Sequence, residues 1–309
     1  MALFGYYSKD KKRDVALVLS GGGARGYAHI GAIEEIEEQG YAITSVAGTS
    51  MGALIGGMYA AGKLREVKEW LYGLKPKDVF SLVDWSIGMN HLIKGARLME
   101  ALKTIVPDVL IEDLPIPFTA IAADVKNHEE VVISSGSLYE AIRASISIPS
   151  FLKPVTTDGR VLVDGGVVNQ LPLNRVRRKK GDILIAVNVS AAYSKEVEEM
   201  KNQANEKNRK NSPLLQRIIP TATKGESNYV SLLVQVYAML SQQNSEQAIV
   251  ITPPDVLASV ATNRFGCFDF DKAERISNYG REKMRDALEE YHERLRKHSF
   301  IGRIKGIFR

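Results

Sequence analysis

The stretch from Asp14 to Gln39 constrains this 309-residue chain more than any other. Val15-Ala-Leu-Val-Leu-Ser20 is an apolar run with charge before it and glycine after it, the pattern of a strand buried on both faces. Gly21-Gly-Gly-Ala-Arg-Gly26 follows, and from Tyr27 to Gln39 apolar residues recur at helical spacing. A strand with two apolar faces needs helices on each side, so the opening alone points to an α/β protein.

The same form recurs downstream. Residues 43–47 read as a second strand, Gly48-Thr-Ser-Met-Gly52 as a turn, and the small, apolar residues 53–61 as a buried helix. Further strands are expected at 118–122, 130–134, 160–163, 183–189 and 248–252, and helices at 97–104, 138–145, 229–242 and 272–297. This alternation implies a mostly parallel central sheet with helices on both faces, a three-layer α/β/α arrangement, and a C-terminal helical extension. No period of 20 to 50 residues repeats, which excludes solenoids and propellers. The expected organisation is a tail over 1–13, an α/β domain over 14–290 and a basic amphipathic tail over 291–309. Within the domain, residues 195–211 are crowded with Lys, Glu, Asn and Gln and hold two large apolar residues, Val197 and Met200. They read as a solvated helix or loop, with a lid as the sharper alternative.

No residue from Gln39 to Gly62 is charged, which raises a membrane span as an alternative. Six glycines with Thr44, Ser45, Thr49 and Ser50 dilute its apolar character, and strand, turn and helix account for the same residues. The chain is 45% hydrophobic and 25% charged, an ordinary globular balance that excludes largely disordered classes. Cys267 is the single cysteine, so there is no intramolecular disulfide or Cys-rich metal cluster, which fits a reducing compartment or a simple absence of need; a packing role is expected for it. The first residues lack the apolar core of a signal peptide, so a cytoplasmic protein is expected. Net charge is +5, yet six basic and no acidic residues lie between Arg294 and Arg309, leaving the body nearly neutral. With no basic stripe interleaved with aromatics and no zinc-finger spacing, nucleic acid is not an expected partner.

Gly48-Thr49-Ser50-Met51-Gly52 has the G-x-S-x-G form that presents a serine hydroxyl at a tight strand-to-helix turn; a plain glycine turn is the alternative. Gly21 to Gly26 literally satisfies G-x-G-x-x-G. Dinucleotide binding, however, predicts an acidic residue at the end of the second strand, and residues 41–47 contain none. A Walker loop fails because Tyr27-Ala28 follows Gly26. What remains is a run of backbone N–H groups at a helix start, able to bind an oxyanion, or a mere tight turn. Of the five histidines, His29 falls at an apolar-spaced helical position, His91 and His128 in polar loops, and His292 and His298 in the basic tail; structural roles suit them all. Asp164-Gly165-Gly166 puts a carboxylate where a strand stops, as a base or as a simple Asp-Gly turn of the kind seen at Asp158-Gly159.

Together these pieces resemble the patatin-like phospholipase family. The likeness rests on Gly21 to Gly26 with Tyr27-Ala-His-Ile-Gly31, on Gly48 to Gly52, on Arg143-Ala-Ser-Ile-Ser-Ile-Pro149, on Asp164-Gly-Gly166 and on Asn169-Gln-Leu-Pro172. It covers about residues 14–190, and 255–280 resembles the C-terminal part of bacterial members. The resemblance implies a Ser-Asp dyad, with Ser50 as nucleophile and Asp164 as base, and an oxyanion hole at Gly21, Gly22 and Gly23. Arg25, Gly26, Gly48, Gly52, Gly165 and Gly166 would play supporting roles. It further implies hydrolysis of lipid acyl esters, of the phospholipase A or lysophospholipase kind, through an acyl-enzyme, with no metal and no organic cofactor. A thioesterase or acyltransferase using the same dyad is the nearest alternative; a non-catalytic nucleotide- or phosphate-binding regulator is a more distant one.

At the end of the chain Phe300, Ile301, Ile304, Ile307 and Phe308 fall on one helical arc of about 120°, with Arg303, Lys305 and Arg309 outside it. Such a face suits peripheral contact with an anionic membrane, at its inner leaflet for a cytoplasmic protein. Packing on the chain's own domain, or on a second copy in a homodimer, is the alternative.

Overall fold

The computed structural model describes residues 13–74, 77–78, 95–149, 151–199 and 229–307, with side-chain environments for these except 229–231, 234 and 298–307. Residues 1–12 of the tail expected over 1–13, most of the polar segment at 195–211, His91 and Phe308 lie outside the described residues.

The chain opens with β1 (Arg13–Leu19), a 3-10 turn over Gly23–Tyr27 and α1 (Ala28–Glu38), then β2 (Tyr41–Thr49) and α2 (Met51–Ala60). Next come α3 (Leu64–Gly73), α4 (Ala96–Ile105), β3 (Phe118–Asp124), β4 (Glu129–Ile133), α5 (Leu138–Ser145), β5 (Val155–Thr157) and β6 (Arg160–Asp164). The described residues end with β7 (Ile183–Ala191), α6 (Tyr229–Ile251), β8 (Val256–Ala261) and α7 (Ala273–Ile307). The strands form one sheet in the order β5-β6-β3-β2-β1-β7-β8, with β4 also paired to β3. Pairing is parallel from β3 through β8, and antiparallel where β4, β5 and β6 join.

Side chains of β1 alternate between two cores because successive residues of a strand point to opposite faces. Val15, Leu17 and Leu19 pack in the larger core with Ile30, Ile33 and Ile36 of α1. Ala16 and Val18 face a smaller one with Leu171, Leu173 and Leu184, against which Ala248 and Ile249 of α6 rest. Both faces are therefore covered, and each fully buried Leu or Ile contributes about 1.5–3 kcal/mol. The C-terminal helix α7 lies along α1, where Arg285 reaches the buried carboxylate of Glu35 and Arg281 bridges Glu34 and Glu38.

One expectation needs correction. Residues 248–252, expected as a strand, lie largely in the last turns of α6, where Val250 and Ile251 are 81% and 79% exposed. An Ile-Val-Ile run mimics a buried strand, but a helix already formed upstream extends at little cost until Pro253-Pro254 stops it. The strand follows at Val256. Two elements, α3 and β5, have no counterpart in the expected set. Among the described residues no helix is long and apolar enough to cross a membrane.

The order reverses around β1, which has β2 on one side and β7 on the other. In open α/β sheets such a switch point opens a crevice at the carboxyl ends of the strands. Ser20, Ser50 and Ser190 all lie at those ends.

Candidate active site

Between β2 and α2 a single residue makes the turn, and Ser50 makes it at φ 55°, ψ −121°. A positive φ is strained for a serine, and it lifts the side chain out of the strand at the mouth of the helix. The turn is tight enough that a Cβ on Gly52 would lie 2.3 Å from the Leu19 carbonyl oxygen, so the first turn of α2 rests directly on the end of β1.

Ser50 and Asp164 are 114 positions apart, and the segment after α5 ties them to the same place. Ser145 Oγ accepts a hydrogen bond from Ser50 N at 2.8 Å and donates to the Ile121 carbonyl at 2.6 Å. Two residues on, the Ser147 carbonyl accepts from Asp164 N at 2.8 Å. Fully buried at the end of β6, Asp164 accepts a bond from Gly166 N at 2.8 Å through Oδ1. The hydroxyls of Ser50 and Tyr237 both act on its carboxylate. Among the described residues Oδ2 has no partner with full hydrogen-bond geometry. Burial pushes this carboxyl up to about 6, against the lowering effect of Ser50, Gly166 and Tyr237. A buried carboxylate with an oxygen to spare, facing a serine hydroxyl, has the chemistry of a general base.

Tyr237, on α6, belongs to no sequence motif. Burial and the neighbouring Asp164 hold its phenol well above the ordinary range, so it remains a hydrogen-bond donor. The same helix grips the turn after Asp164: Ser241 Oγ donates to the Gly166 carbonyl at 3.3 Å and Asn244 Nδ2 to the Val167 carbonyl at 3.1 Å.

The glycine loop lies against Ser50. Gly21 N donates to the Gln170 carbonyl at 3.2 Å, while the Gly21 carbonyl accepts from Ser190 Oγ at 2.9 Å. Ala24 N donates to the Cys267 carbonyl at 2.9 Å. The N–H groups of Gly22 and Gly23, between them, have no partner among the described residues. Arg25 is buried and its Nε donates to the Val189 carbonyl at 2.8 Å, tying the loop to β7 from inside. Burial lowers its pKa, with Asp269 and the Cys267 thiol opposing. Gly26 lies against Met51, Gly48 against the Gly52 carbonyl and Gly165 against the Ile121 carbonyl. Asn169 and Gln170 act as a strap: the Asn169 carbonyl accepts from Thr49 Oγ1 at 2.7 Å, just before Ser50.

His29 and His292 have structural roles. His29 is fully buried, donates from Nε2 to the Ser20 carbonyl at 2.8 Å, and is held neutral by burial, which lowers it to about 4. His292 pairs with the Tyr41 hydroxyl at 2.7 Å. Phe300, Ile301, Ile304 and Ile307 lie on the final turns of α7, far along the chain from the crevice. Among the described residues no group of three or more His, Cys, Asp or Glu side chains could hold a metal ion.

Comparison with known proteins bears on the family and the fold. A family profile described as patatin-like phospholipase matches residues 17–176. The chain is 43% identical over 178 residues to an uncharacterized NTE family protein of Mycobacterium tuberculosis, covering 58% of this chain and 49% of that protein. It is 36% identical over 184 residues to a patatin-like phospholipase domain-containing protein of Caenorhabditis elegans, and 32% identical to patatin-like phospholipase domain-containing protein 6 of Mus musculus. Each match covers 57% of this chain and 14% of the relative. The match thus spans about half the length of that mycobacterial relative and far less of the animal ones. Among solved structures, VipD from Legionella pneumophila shares the fold with a TM-score of 0.52 at 15% identity, over 91% of this chain and 67% of that one. The family profile spans more than half of the sequence and includes the serine turn, the glycine loop and the Asp-Gly-Gly turn, so the chain belongs to the patatin-like phospholipase family.

Proposed function

We propose that this protein hydrolyses acyl esters of lipids through a Ser50-Asp164 dyad. The observation that carries the reading is the residue 145–147 segment, which binds the backbone of Ser50 on one side and of Asp164 on the other. Ser50 Oγ attacks the ester carbonyl carbon as Asp164 Oδ2 takes its proton. The leaving alcohol departs with that proton, and the acyl group stays on Ser50. Water then attacks the acyl-enzyme, gives its proton to Asp164, and Ser50 Oγ recovers it as the acid leaves.

Asp164 is suited to this traffic because burial raises it to about 6, nearer to working pH than an exposed aspartate and still ionised at neutrality. The developing oxyanion falls to the N–H groups of Gly22 and Gly23 and to Met51 N, on the first turn of α2, where a helix start leaves donors and positive dipole. Gly21, whose N–H is already engaged, supports the loop from behind. Each oxyanion donor is worth about 2.7–4 kcal/mol of barrier lowering. With Arg25 turned inward to Val189, the loop lacks a free cation for phosphate, which favours hydrolysis over nucleotide binding.

The test is turnover of a long-chain phosphatidylcholine, a lysophospholipid, a monoacylglycerol and an acyl thioester by the parent chain, Ser50→Ala and Asp164→Asn. The reading expects ester cleavage by the parent and a loss of 10³-fold or more in each variant. Full activity in either variant overturns it, and cleavage of the thioester alone replaces the lipid substrate with an acyl carrier.

A further inference from the structure

Resting on that reading, we propose that Gln170 is a catalytic residue of the second half-reaction: its Oε1 holds the attacking water beside Asp164 during hydrolysis of the acyl-enzyme. Gln170 is 1% exposed, and its Oε1 has no hydrogen-bond partner among the described residues. The orientation of the amide follows from its neighbours. Ser190 Oγ gives its hydrogen to the Gly21 carbonyl at 2.9 Å, so it can only accept from Gln170 Nε2, which stands 2.9 Å away. The amide therefore turns its NH₂ to Ser190 and its oxygen toward the Asp-Gly-Gly turn at Gly166.

The position of that oxygen is set by the two glycine turns. A Cβ on Gly166 would lie 2.4 Å from Gln170 Oε1, 2.3 Å from the Tyr237 hydroxyl and 3.2 Å from Asp164 Oδ1, so three oxygens crowd around one point. A Cβ on Gly21 would lie 2.7 Å from Gln170 Oε1 and 3.1 Å from Ser50 Cβ. Oε1 therefore lies within about 6 Å of both Ser50 Cβ and Asp164 Oδ1. Tyr237 spends its single hydrogen on Asp164. An amide carbonyl cannot stabilise an oxyanion and has no proton to give, so the donor it accepts from must come with the substrate or solvent. Buried acceptors are nearly always paired in a working protein.

Water meets the requirement at deacylation, because it brings two hydrogens. One goes to Asp164 Oδ2 as the water oxygen bonds to the acyl carbon; the other stays in a hydrogen bond to Gln170 Oε1 and orients the lone pair at the ester. In acylation the attacking hydroxyl of Ser50 has one hydrogen, and Asp164 takes it, which leaves Gln170 no part. Gln170 therefore serves one half-reaction and not the other.

The experiment separates those halves with Gln170→Met, which keeps the bulk and the backbone bond to Gly21, and Gln170→Glu, which keeps an acceptor. Acylation is read as the rate of Ser50 labelling by a fluorophosphonate. Deacylation is read as decay of the acetyl adduct after mixing excess enzyme with p-nitrophenyl acetate, quenching in acid and weighing the intact protein. In Gln170→Met labelling should stay within about twofold of the parent while adduct decay slows about tenfold, the effect of one lost hydrogen bond. In Gln170→Glu decay should recover at least in part. Unchanged decay in Gln170→Met overturns the proposal, and so does an equal fall in labelling and decay, which would make Gln170 a support of the glycine loop. If the parent itself is not labelled at Ser50, the dyad reading fails and is distinguished from a failure of Gln170 alone.

Discussion

Replacing Asp164 with asparagine should make the protein more stable at neutral pH while abolishing its activity. The carboxyl is fully buried and titrates at about 6, against 3.8 for an unperturbed aspartate. A difference of about two pH units corresponds to about 3 kcal/mol. Because the folded value is the higher one, the fold favours the protonated form. The favourable contribution is complete below pH 3.8 and is lost as pH rises through 6, where the buried group must carry charge. Asparagine is neutral throughout. It retains the Oδ1 acceptor for Gly166 N, and its new N–H₂ faces the Ser50 and Tyr237 hydroxyls, which can rotate to accept. Urea unfolding followed by circular dichroism at pH 4, 5.5 and 7.5 should show Asp164→Asn ahead by up to about 3 kcal/mol at the highest pH, with the gap closing by pH 4. A variant that is no more stable at pH 7.5, or whose advantage does not shrink on acidification, would refute the idea that a forced charge is held at this position.

Other consequences are open to measurement. The acid limb of ester turnover should have its midpoint near pH 6 in the parent, since Asp164 must be ionised to act as base; a limb near 4 would contradict the burial effect. Tyr237→Phe removes a donor from the carboxylate, so that limb should move to higher pH and turnover at pH 6 should fall about threefold for a bond worth ~1 kcal/mol. An unmoved pH profile would place Tyr237 outside the site. Gly52→Ala forces a Cβ to within 2.3 Å of the Leu19 carbonyl and 2.7 Å of the Ser20 carbonyl; the turn must shift, and activity should drop about 100-fold with a stability loss of roughly 1–3 kcal/mol. Deleting residues 299–309 should lower binding to anionic vesicles and leave short-chain ester turnover intact; unchanged vesicle binding would remove the tail as a membrane contact.

What the sequence made legible depended on how local the determining physics was. The glycine loop and the serine turn could be read because each is a short-range event, in which a strand ends, glycines permit close approach and a helix begins within a few residues. Helix α5 was legible at both ends, since Ser137 caps it by accepting from Glu140 N and its apolar face is regular. Helix α3 could have been found from Leu64, Val67 and Leu71 at helical spacing, two of them buried. The run at 248–252 misleads because four β-branched residues look alike at the end of an exposed helix and in a buried strand. The partners that assemble the site from distant segments could not be read: Ser145, Ser147 and Gln170 lie in motifs of the resemblance, but nothing local says that they meet Ser50, Asp164 and Gly21, and Tyr237 arrives on α6 from outside the segment matched by the family profile. A tyrosine in a helix carries no mark of the carboxylate it will meet.

The most direct measurement for the account as a whole is to treat the protein with a fluorophosphonate, digest it and locate the adduct by mass spectrometry, with Asp164→Asn alongside. The prediction is one modified residue, Ser50, at a rate that falls steeply in Asp164→Asn and declines with acidification through about pH 6 in the parent. An adduct on another serine, or equal labelling with and without the carboxylate, would contradict it.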